Sequence, residues 1–277
     1  MAPPYRRRTA ISQPHRVAAV RSRLADSWVG DCTERLKAAD FFNATMLIGA
    51  TTLLSVLPFL IVVSSLAHQR IDDDLSRHIG LDSEGARIVR GLFPTAPDHD
   101  TGSIVTALVV GLAGTLVTVN LVQGLYERIF RVEHRGWRDV GRYLVWVGGL
   151  LGALVVAGLT YGAVRDVGGL VLLGPWRVVV ATAFFWWGMH FLLAGRVGWR
   201  TLLRPAFVTA VFWVGLAVFS WAVFSSTIVS DSRLYGTIGV VFTLLTWFIA
   251  IGAVVVLGAA VGATWDERRG RRTGAAE

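Results

Sequence analysis

The sequence predicts an all-α, polytopic membrane protein with six transmembrane helices and both termini in the cytoplasm. Apolar residues make up 53% of the 277 residues and charged residues 17%, whereas soluble globular proteins have about 45–50% and about 25%. Residues 41–67 contain no charged side chain, and about 20 predominantly apolar residues suffice to cross a bilayer. Basic residues are concentrated in alternate connections between the apolar segments, which is the pattern that orients membrane proteins.

The apolar segments are long and continuous, as membrane-spanning helices require and as the short alternating strands of a membrane barrel do not. We therefore expect a basic cytoplasmic arm with an amphipathic helix (1–40), a membrane domain (41–265) with an outside loop (68–102), and a basic cytoplasmic tail (266–277). The predicted spans are residues 41–67, 103–125, 143–164, 178–194, 205–229 and 235–265.

The positive charges predict the orientation. With the N-terminus inside, 20 of the 27 basic residues lie on the cytoplasmic side. Eight of them are in the N-terminal arm, five in the connection after the second span, three in the connection after the fourth and four in the tail. Since basic connections stay in the cytoplasm, this asymmetry favours an N-in, C-in topology. It also accounts for the net charge of +8 without nucleic acid as a partner.

An amphipathic helix is predicted in the arm, because apolar residues from Val17 to Leu36 recur at steps of three and four. One interpretation is an interfacial helix that binds anionic lipid at the cytoplasmic face. The favoured alternative is a helix packed against the entrance of the bundle. The single cysteine, Cys32, lies on the apolar stripe and excludes an intrachain disulfide.

The outside loop contains Asp72, Asp73 and Asp74 and two apolar clusters. We expect two short amphipathic helices over the outer face of the bundle. The three carboxylates suggest a divalent cation, but adjacent residues on a helix point in different directions. A solvated face is the favoured interpretation, and no metal site is predicted.

Polar side chains follow one face of the second span. Asn120, Gln123 and Glu127 are three and four residues apart, and Arg131 extends the row. One hypothesis is a hydrophilic pathway that opens inward, since polar groups in hydrocarbon usually have a function. The alternative, favoured for Asn120 and Gln123, is hydrogen bonding between helices. Glu127 and Arg131 are expected at the membrane interface.

Two further residues are candidates for the pathway. His190 in the fourth span could relay protons, but a neutral ring that binds a neighbouring backbone group is favoured. Pro58 in the first span should kink its helix and is a candidate gate, or serves packing alone.

Glycines at GxxxG spacing predict tight helix contacts, for which the bundle interior is favoured over a dimer interface. The pairs are Gly148 and Gly152, Gly158 and Gly162, and Gly258 and Gly262.

No motif predicts catalysis. The sequence lacks a P-loop, an HExxH motif and a GxSxG motif, and its six histidines show no metal-ligand spacing. We therefore predict neither a catalytic residue nor a cofactor, and we expect that the protein is not an enzyme.

Three stretches together resemble the YihY/BrkB family of bacterial inner-membrane proteins. They are Ser55-Val56-Leu57-Pro58-Phe59, the segment from Asn120 to Tyr126 with Arg128 and Arg135-Gly136-Trp137-Arg138 after it, and Tyr235-Gly236-Thr237-Ile238-Gly239 with Leu245-Thr246-Trp247 and Gly258-Ala259-Ala260 after it. The resemblance covers about residues 35–265. Two departures concern Met46-Leu47-Ile48-Gly49, where members carry aromatic residues, and Ala260, near which members carry a glutamate.

The resemblance implies six spans in the bacterial plasma membrane and does not settle an activity. A ribonuclease label for the family is disfavoured, because no cluster of His and Asp could hold the metal ions of such a nuclease. We expect a transporter or exporter of an unidentified solute or lipid. The alternative is a non-catalytic membrane scaffold or envelope-integrity factor. Oligomerisation is possible in both cases.

Overall fold

The computed structural model describes residues 28–66, 101–134 and 140–274, and these residues form five helices. The helices are α1 (Trp28–Ala38), α2 (Phe41–Leu66), α3 (Thr101–Ile129), α4 (Val140–Leu192) and α5 (Trp199–Gly274). No strand occurs in these ranges, so the all-helical prediction is confirmed for them. The predicted outside loop with its three aspartates, and the start of the amphipathic arm, lie outside the described residues.

The long helix α4 folds back on itself and forms two antiparallel arms. Each contact joins one residue from the first half of the helix to one from the second half, and the two sequence numbers move closer together toward the middle of the helix. The contact pairs are Trp146 with Gly188, Gly149 with Trp187, and the Trp176 indole N–H, which donates to Thr160 Oγ1 at 3.1 Å. The predicted third and fourth spans are therefore the two arms of one helical hairpin.

The longest helix, α5, is a second hairpin. Its backbone leaves helical geometry at Gly236, which has φ 60° and ψ −144°, a conformation that glycine adopts without steric cost. On either side of this break, Thr243 Oγ1 donates to Asp231 Oδ2 at 2.5 Å. Further along, Gly258 lies against Thr209 and Gly262 against Pro205. The predicted fifth and sixth spans are the arms of this hairpin.

Helix α2 packs between α3 and the second arm of α5. Gly49 lies against Ile249, and Gly252 lies against the carbonyl oxygen of Thr45, which is an antiparallel register. On the other side, Gly114 of α3 lies against Ser55 of α2. Glycine permits these approaches, because a larger side chain would separate the backbones.

One end of the bundle carries both ends of the described chain, and we call it the terminal face. Arg35 of α1 donates to the carbonyl oxygen of Ile129 at the end of α3, at 3.0 Å. Arg268, near the end of α5, donates to Asp31 of α1 at 2.8 Å. The connection from α4 to α5 also lies here, because Arg204 pairs with Asp266 at 2.5 Å.

Four helices among the described residues are long and apolar enough to cross a membrane. They are Val105–Ile129, Val140–Thr160, Trp199–Val223 and Ile238–Arg268. The pair Trp28–Ala38 and Phe41–Val56, bent by 53°, would make a fifth. The predicted span at residues 178–194 is helical up to Leu192, but it is not one of these candidate spans. Six spans therefore stay a prediction.

The glycine prediction is correct for one pair and wrong for another. Gly258 and Gly262 lie at a close contact between helices, as expected. A side chain at Gly148 or Gly152 would meet nothing within 4 Å, whereas one at Gly149 would collide with Trp187. The spacing identified a glycine-rich arm of α4 but not the face that packs. Gly158 is also open, and the side-chain position of Gly162 lies outside the described residues.

Candidate functional site: the Glu127 cluster

The predicted polar row lies in the last three turns of α3, where the helix reaches the terminal face. The helix ends at Ile129, and Arg131 follows with φ 55°, a left-handed conformation that is common after a helix C-terminus. The amide of Val132 then donates to the carbonyl oxygen of Glu127 at 2.9 Å. This turn directs residues 132–134 back along the end of α3.

Glu127 ends the row, accepts most of its hydrogen bonds and is 1% exposed. Gln123 Nε2 donates to Oε1 at 3.0 Å, Arg196 Nη2 donates to the same oxygen at 2.6 Å, and His134 Nδ1 lies 2.7 Å from Oε2. The expected position of Glu127 at the membrane interface stays a prediction, and its burial inside the protein was not predicted. Its carboxylate is buried because a cation and two polar groups replace the water it has lost.

Arg196 reaches Glu127 from the connection between α4 and α5. Ala194 and Gly195, with φ 56° and 70°, turn the chain directly after α4. The guanidinium also donates through Nε to the Leu193 carbonyl at 2.9 Å and through Nη1 to the Glu133 carbonyl. The planar guanidinium of Arg196 thus joins the end of α3 to the end of α4. His134, whose side chain is 65% exposed, connects the cluster to solvent.

Asn120 completes the polar row one turn deeper. Its Oδ1 accepts a hydrogen bond from Tyr143 Oη at 2.9 Å, and Tyr143, at the start of α4, is fully buried. The favoured hypothesis, hydrogen bonding between helices, describes this contact. We define the Glu127 cluster by the following residues: Asn120, Gln123, Glu127, His134, Tyr143 and Arg196.

Outward from Asn120, the same face of α3 is apolar and leaves the bundle interior. Leu116 is half-buried, and Ala113 and Val109 are exposed on the surface of the bundle. The polar part of the row is therefore confined to the half of α3 next to the terminal face.

A second charged group ties α1 to the end of α5, and we call its four residues the terminal clasp. Asp31 pairs with Arg268 at 2.7 Å, and Arg35 pairs with Glu267. Arg35 is 6% exposed and also contacts the end of α3. The amphipathic helix thus lies against the bundle, as the packing interpretation expects.

His190 and Pro58 lie apart from the cluster. His190 Nδ1 is 3.1 Å from the carbonyl oxygen of Val197, and the ring stacks on Trp199 at 3.9 Å between centroids. This is the contact with a neighbouring backbone group that the favoured hypothesis expects. His190 does not extend the polar row of α3. At Pro58, α2 continues to Leu66, and Ser55 Oγ, one turn earlier, donates to the Thr51 carbonyl.

The arrangement joins α3 to the connection before α5 through one buried carboxylate. Among the described residues, no three His, Cys, Asp or Glu side chains come together in a way that could hold a metal ion. The carboxylate instead accepts hydrogen bonds from side chains on α3 and on the connection before α5. Separating α3 from that connection would leave both Glu127 and Arg196 without their ion-pair partner. The pair therefore favours the arrangement in which α3 and the connection stay in contact.

Sequence reasoning did not find His134, Tyr143 and Arg196. The one available signal was that Arg131-Val132 and Arg196-Val197 each precede a Gly-Trp-Arg sequence in a connection at the same face. Periodicity within α3 could not reveal partners on other helices. Residues 135–139, which include the first Gly-Trp-Arg, lie outside the described residues.

Comparisons with known proteins support the resemblance. The profile of the family described as Virulence factor BrkB matches residues 33–277, which include the last six residues of α1, the Glu127 cluster and both hairpins. Neither the curated proteins nor the solved structures contain a match. Because the match covers most of the chain, the protein belongs to the Virulence factor BrkB family.

Proposed function

We propose that this protein is a multi-pass protein of the bacterial plasma membrane that moves a solute or a lipid across the bilayer. The observation that supports it is the Glu127 cluster, in which a buried carboxylate, on the same face of α3 as two amides, meets a cation from the connection between α4 and α5. Ionisable groups inside a membrane domain are costly and are retained mainly where they line a pathway or close it. The proposal assigns no chemical reaction to the chain.

The placement of the charges supports a route with a gate at one end. The polar row runs from Asn120 to Glu127 and meets Arg196, which belongs to a different helical unit. This ion pair is stable while the two helical units are in contact. When the units separate, water or a polar substrate can replace each partner of the pair. Alternating movement of helical units around a polar site is how many transporters without ATP hydrolysis work.

The topology in this proposal is six spans with the terminal face in the cytoplasm. Its support is the distribution of basic residues, 20 of 27 on that side. Exposed tryptophans lie near the same face, as aromatic belts at membrane interfaces do: Trp28, Trp199 and Trp265. Anionic lipid headgroups are the expected partners of the exposed arginines there.

A scaffold or envelope-integrity factor is the second candidate, and a specific observation favours it. Each named polar group of the Glu127 cluster already has a partner inside the protein. A polar network of this kind also rigidifies a bundle without any transport. The two candidates differ in whether water ever reaches the row.

Water accessibility of the row tests the proposal. Cys32 is replaced by Ser, and single cysteines are placed at Asn120, Gln123, Val122 and Arg131. Sealed inverted vesicles are treated with a small hydrophilic methanethiosulfonate reagent. Val122 is the buried apolar control on the same helix, and Arg131 is the exposed control.

For a transporter that opens transiently, the cysteines at 120 and 123 react more slowly than the one at 131 and faster than the one at 122. If both positions are as unreactive as the one at 122, the row is dry, the transport proposal fails and the scaffold is favoured. Reaction at 122 as well would indicate a loosened bundle and would also contradict a defined route.

A further inference from the structure

Helix α1 is attached to the bundle by two charged pairs and by the packing of Leu36 against the core. Asp31 binds Arg268, which is 237 residues away in the chain, at 2.7–2.8 Å. One turn along the same helix, Arg35 binds Glu267. Two residues one turn apart on α1 thus meet two adjacent residues of α5 with complementary charge.

A hinge separates α1 from α2. The helices are bent by 53° at a break of two residues, Ala39 and Asp40. Asp40 has φ 50°, which is uncommon for a residue other than glycine. A short break of this kind allows one helix to rotate without unwinding the next.

Docking of α1 supports the end of α3 that carries the Glu127 cluster. Arg35 Nη1 donates to the Ile129 carbonyl at 3.0 Å. Carbonyls in the last turn of a helix have no partner within the helix, and a cation there also interacts favourably with the helix dipole. Ile129 lies only two residues beyond Glu127, so α1 and Arg196 hold the same helix end.

We propose that α1 is a hinged ionic latch. Docked through the terminal clasp, it holds the end of α3 in the closed arrangement. When salt screens the pairs of the terminal clasp, or anionic headgroups replace their carboxylates, α1 rotates about residues 39–40 and releases that end of α3. The latch does not depend on what, if anything, the α3 row transports.

The partial exposure of the terminal clasp supports a latch that can open. The side chains of Asp31, Arg268 and Glu267 are 33%, 29% and 49% exposed, so salt and anionic headgroups can reach these pairs. Arg35 is buried and reaches water only when α1 leaves the bundle. The exposed pairs are therefore where opening begins.

The native cysteine reports the state of the latch. Cys32 lies between Asp31 and Arg35, is 8% exposed, and is the only cysteine in the chain. Alkylation of Cys32 by N-ethylmaleimide therefore measures how often α1 undocks. The protein is otherwise unchanged, is held in nanodiscs, and is compared with its SDS-unfolded form.

Arg268→Glu places like charges together at the clasp and should raise the alkylation rate about fivefold or more. The new negative charge disfavours the thiolate, so a faster reaction cannot come from altered thiol ionisation. The charge swap Asp31→Arg with Arg268→Glu should return the rate to within about twofold of the native value. Lys37→Glu, the same charge change at an exposed position of α1, should leave it unchanged.

A reporter in the core separates undocking from misfolding. In a Cys32→Ser, Arg268→Glu background, a cysteine at fully buried Val256 should stay unreactive. The latch is overturned if Arg268→Glu leaves the Cys32 rate at the native value, or if the swap fails to restore it. A native rate equal to that of unfolded protein would overturn it too, because α1 would then not be docked.

Discussion

Arg196 Nη2 lies 2.6 Å from Glu127 Oε1, although 69 residues separate the two in the chain. Glu127 ends the polar row of α3, and Arg196 belongs to the connection between the hairpins α4 and α5. Since Glu127 is almost completely buried, its charge depends on this arginine. The pair therefore links the three helical units that meet at the terminal face.

The first prediction concerns stability. Arg196→Gln leaves a buried carboxylate without its cation, whereas Glu127→Gln leaves an arginine that is partly exposed. Loss of one partner from a buried pair costs about 3–5 kcal/mol, and partial exposure of Arg196 places this case at about 2–3 kcal/mol. Unfolding in mixed SDS micelles should show Arg196→Gln to be the less stable variant. The double variant should recover part of the loss, and additive losses would contradict a direct pair.

The second prediction concerns the α5 hairpin. A Cβ at Gly258 would lie 2.5 Å from Thr209 Cα, whereas one at Gly148 would meet nothing. Gly258→Val should therefore separate the two arms and lower the thermal midpoint in detergent, with an overpacking cost of about 1–3 kcal/mol or more. Gly148→Val is the matched control on a membrane helix and should behave as the native protein. Equal thermal midpoints for the two variants would argue against the observed register.

The third prediction concerns pH. Burial raises the pKa of the Cys32 thiol, and nearby Arg35 opposes this shift in part. The thiolate is the reactive form, so the alkylation rate of Cys32 should rise at a higher pH than that of an exposed cysteine at Lys37 in a Cys32→Ser protein. The neutral thiol stabilises the folded state below the ordinary thiol pKa, and this contribution is lost as pH rises through the raised value. A midpoint at or below that of the exposed cysteine would show that Cys32 is not buried in α1.

The fourth prediction concerns topology. In a Cys32→Ser protein, a cysteine at Arg131 should react with an impermeant reagent in inverted vesicles but not in intact cells. A cysteine at exposed Tyr235, next to the break in α5, should show the opposite pattern. This result follows if Trp199–Val223 and Ile238–Arg268 each cross the bilayer. Labelling of both cysteines from one side would contradict the hairpin's orientation across the membrane.

Much of the fold could be predicted because its signals are local. Apolar segments such as 41–66 define helices by length alone, and the described helices include nearly all residues of the predicted spans, although α4 and α5 each contain two of them and α5 continues to Gly274. The hairpin break at Gly236 was not predicted, because residue 236 lies inside the predicted sixth span. The packing face of α4 could not be predicted, because spacing cannot distinguish Gly149, which meets Trp187, from Gly148, which meets nothing.

The site was predictable only on one helix. Periodicity placed Asn120, Gln123 and Glu127 on a common face, and the structure has them there. The burial of Glu127 depends on Arg196 and His134, which fold over the end of α3 from other parts of the chain. Such long-range partners leave no periodic signal, so the sequence alone placed Glu127 at the membrane interface and did not predict its burial.

The most direct measurement concerns the claim that Arg196 closes the polar row. In a Cys32→Ser protein with a cysteine at Gln123, the methanethiosulfonate rate is measured in sealed inverted vesicles with Arg196 intact and with Arg196→Gln. Arg200→Gln, at an exposed arginine in the first turn of α5, is the control. We expect Arg196→Gln to raise the rate about tenfold and Arg200→Gln to leave it unchanged. An equal rate with and without Arg196, while a cysteine at Val122 stays silent, would contradict the claim.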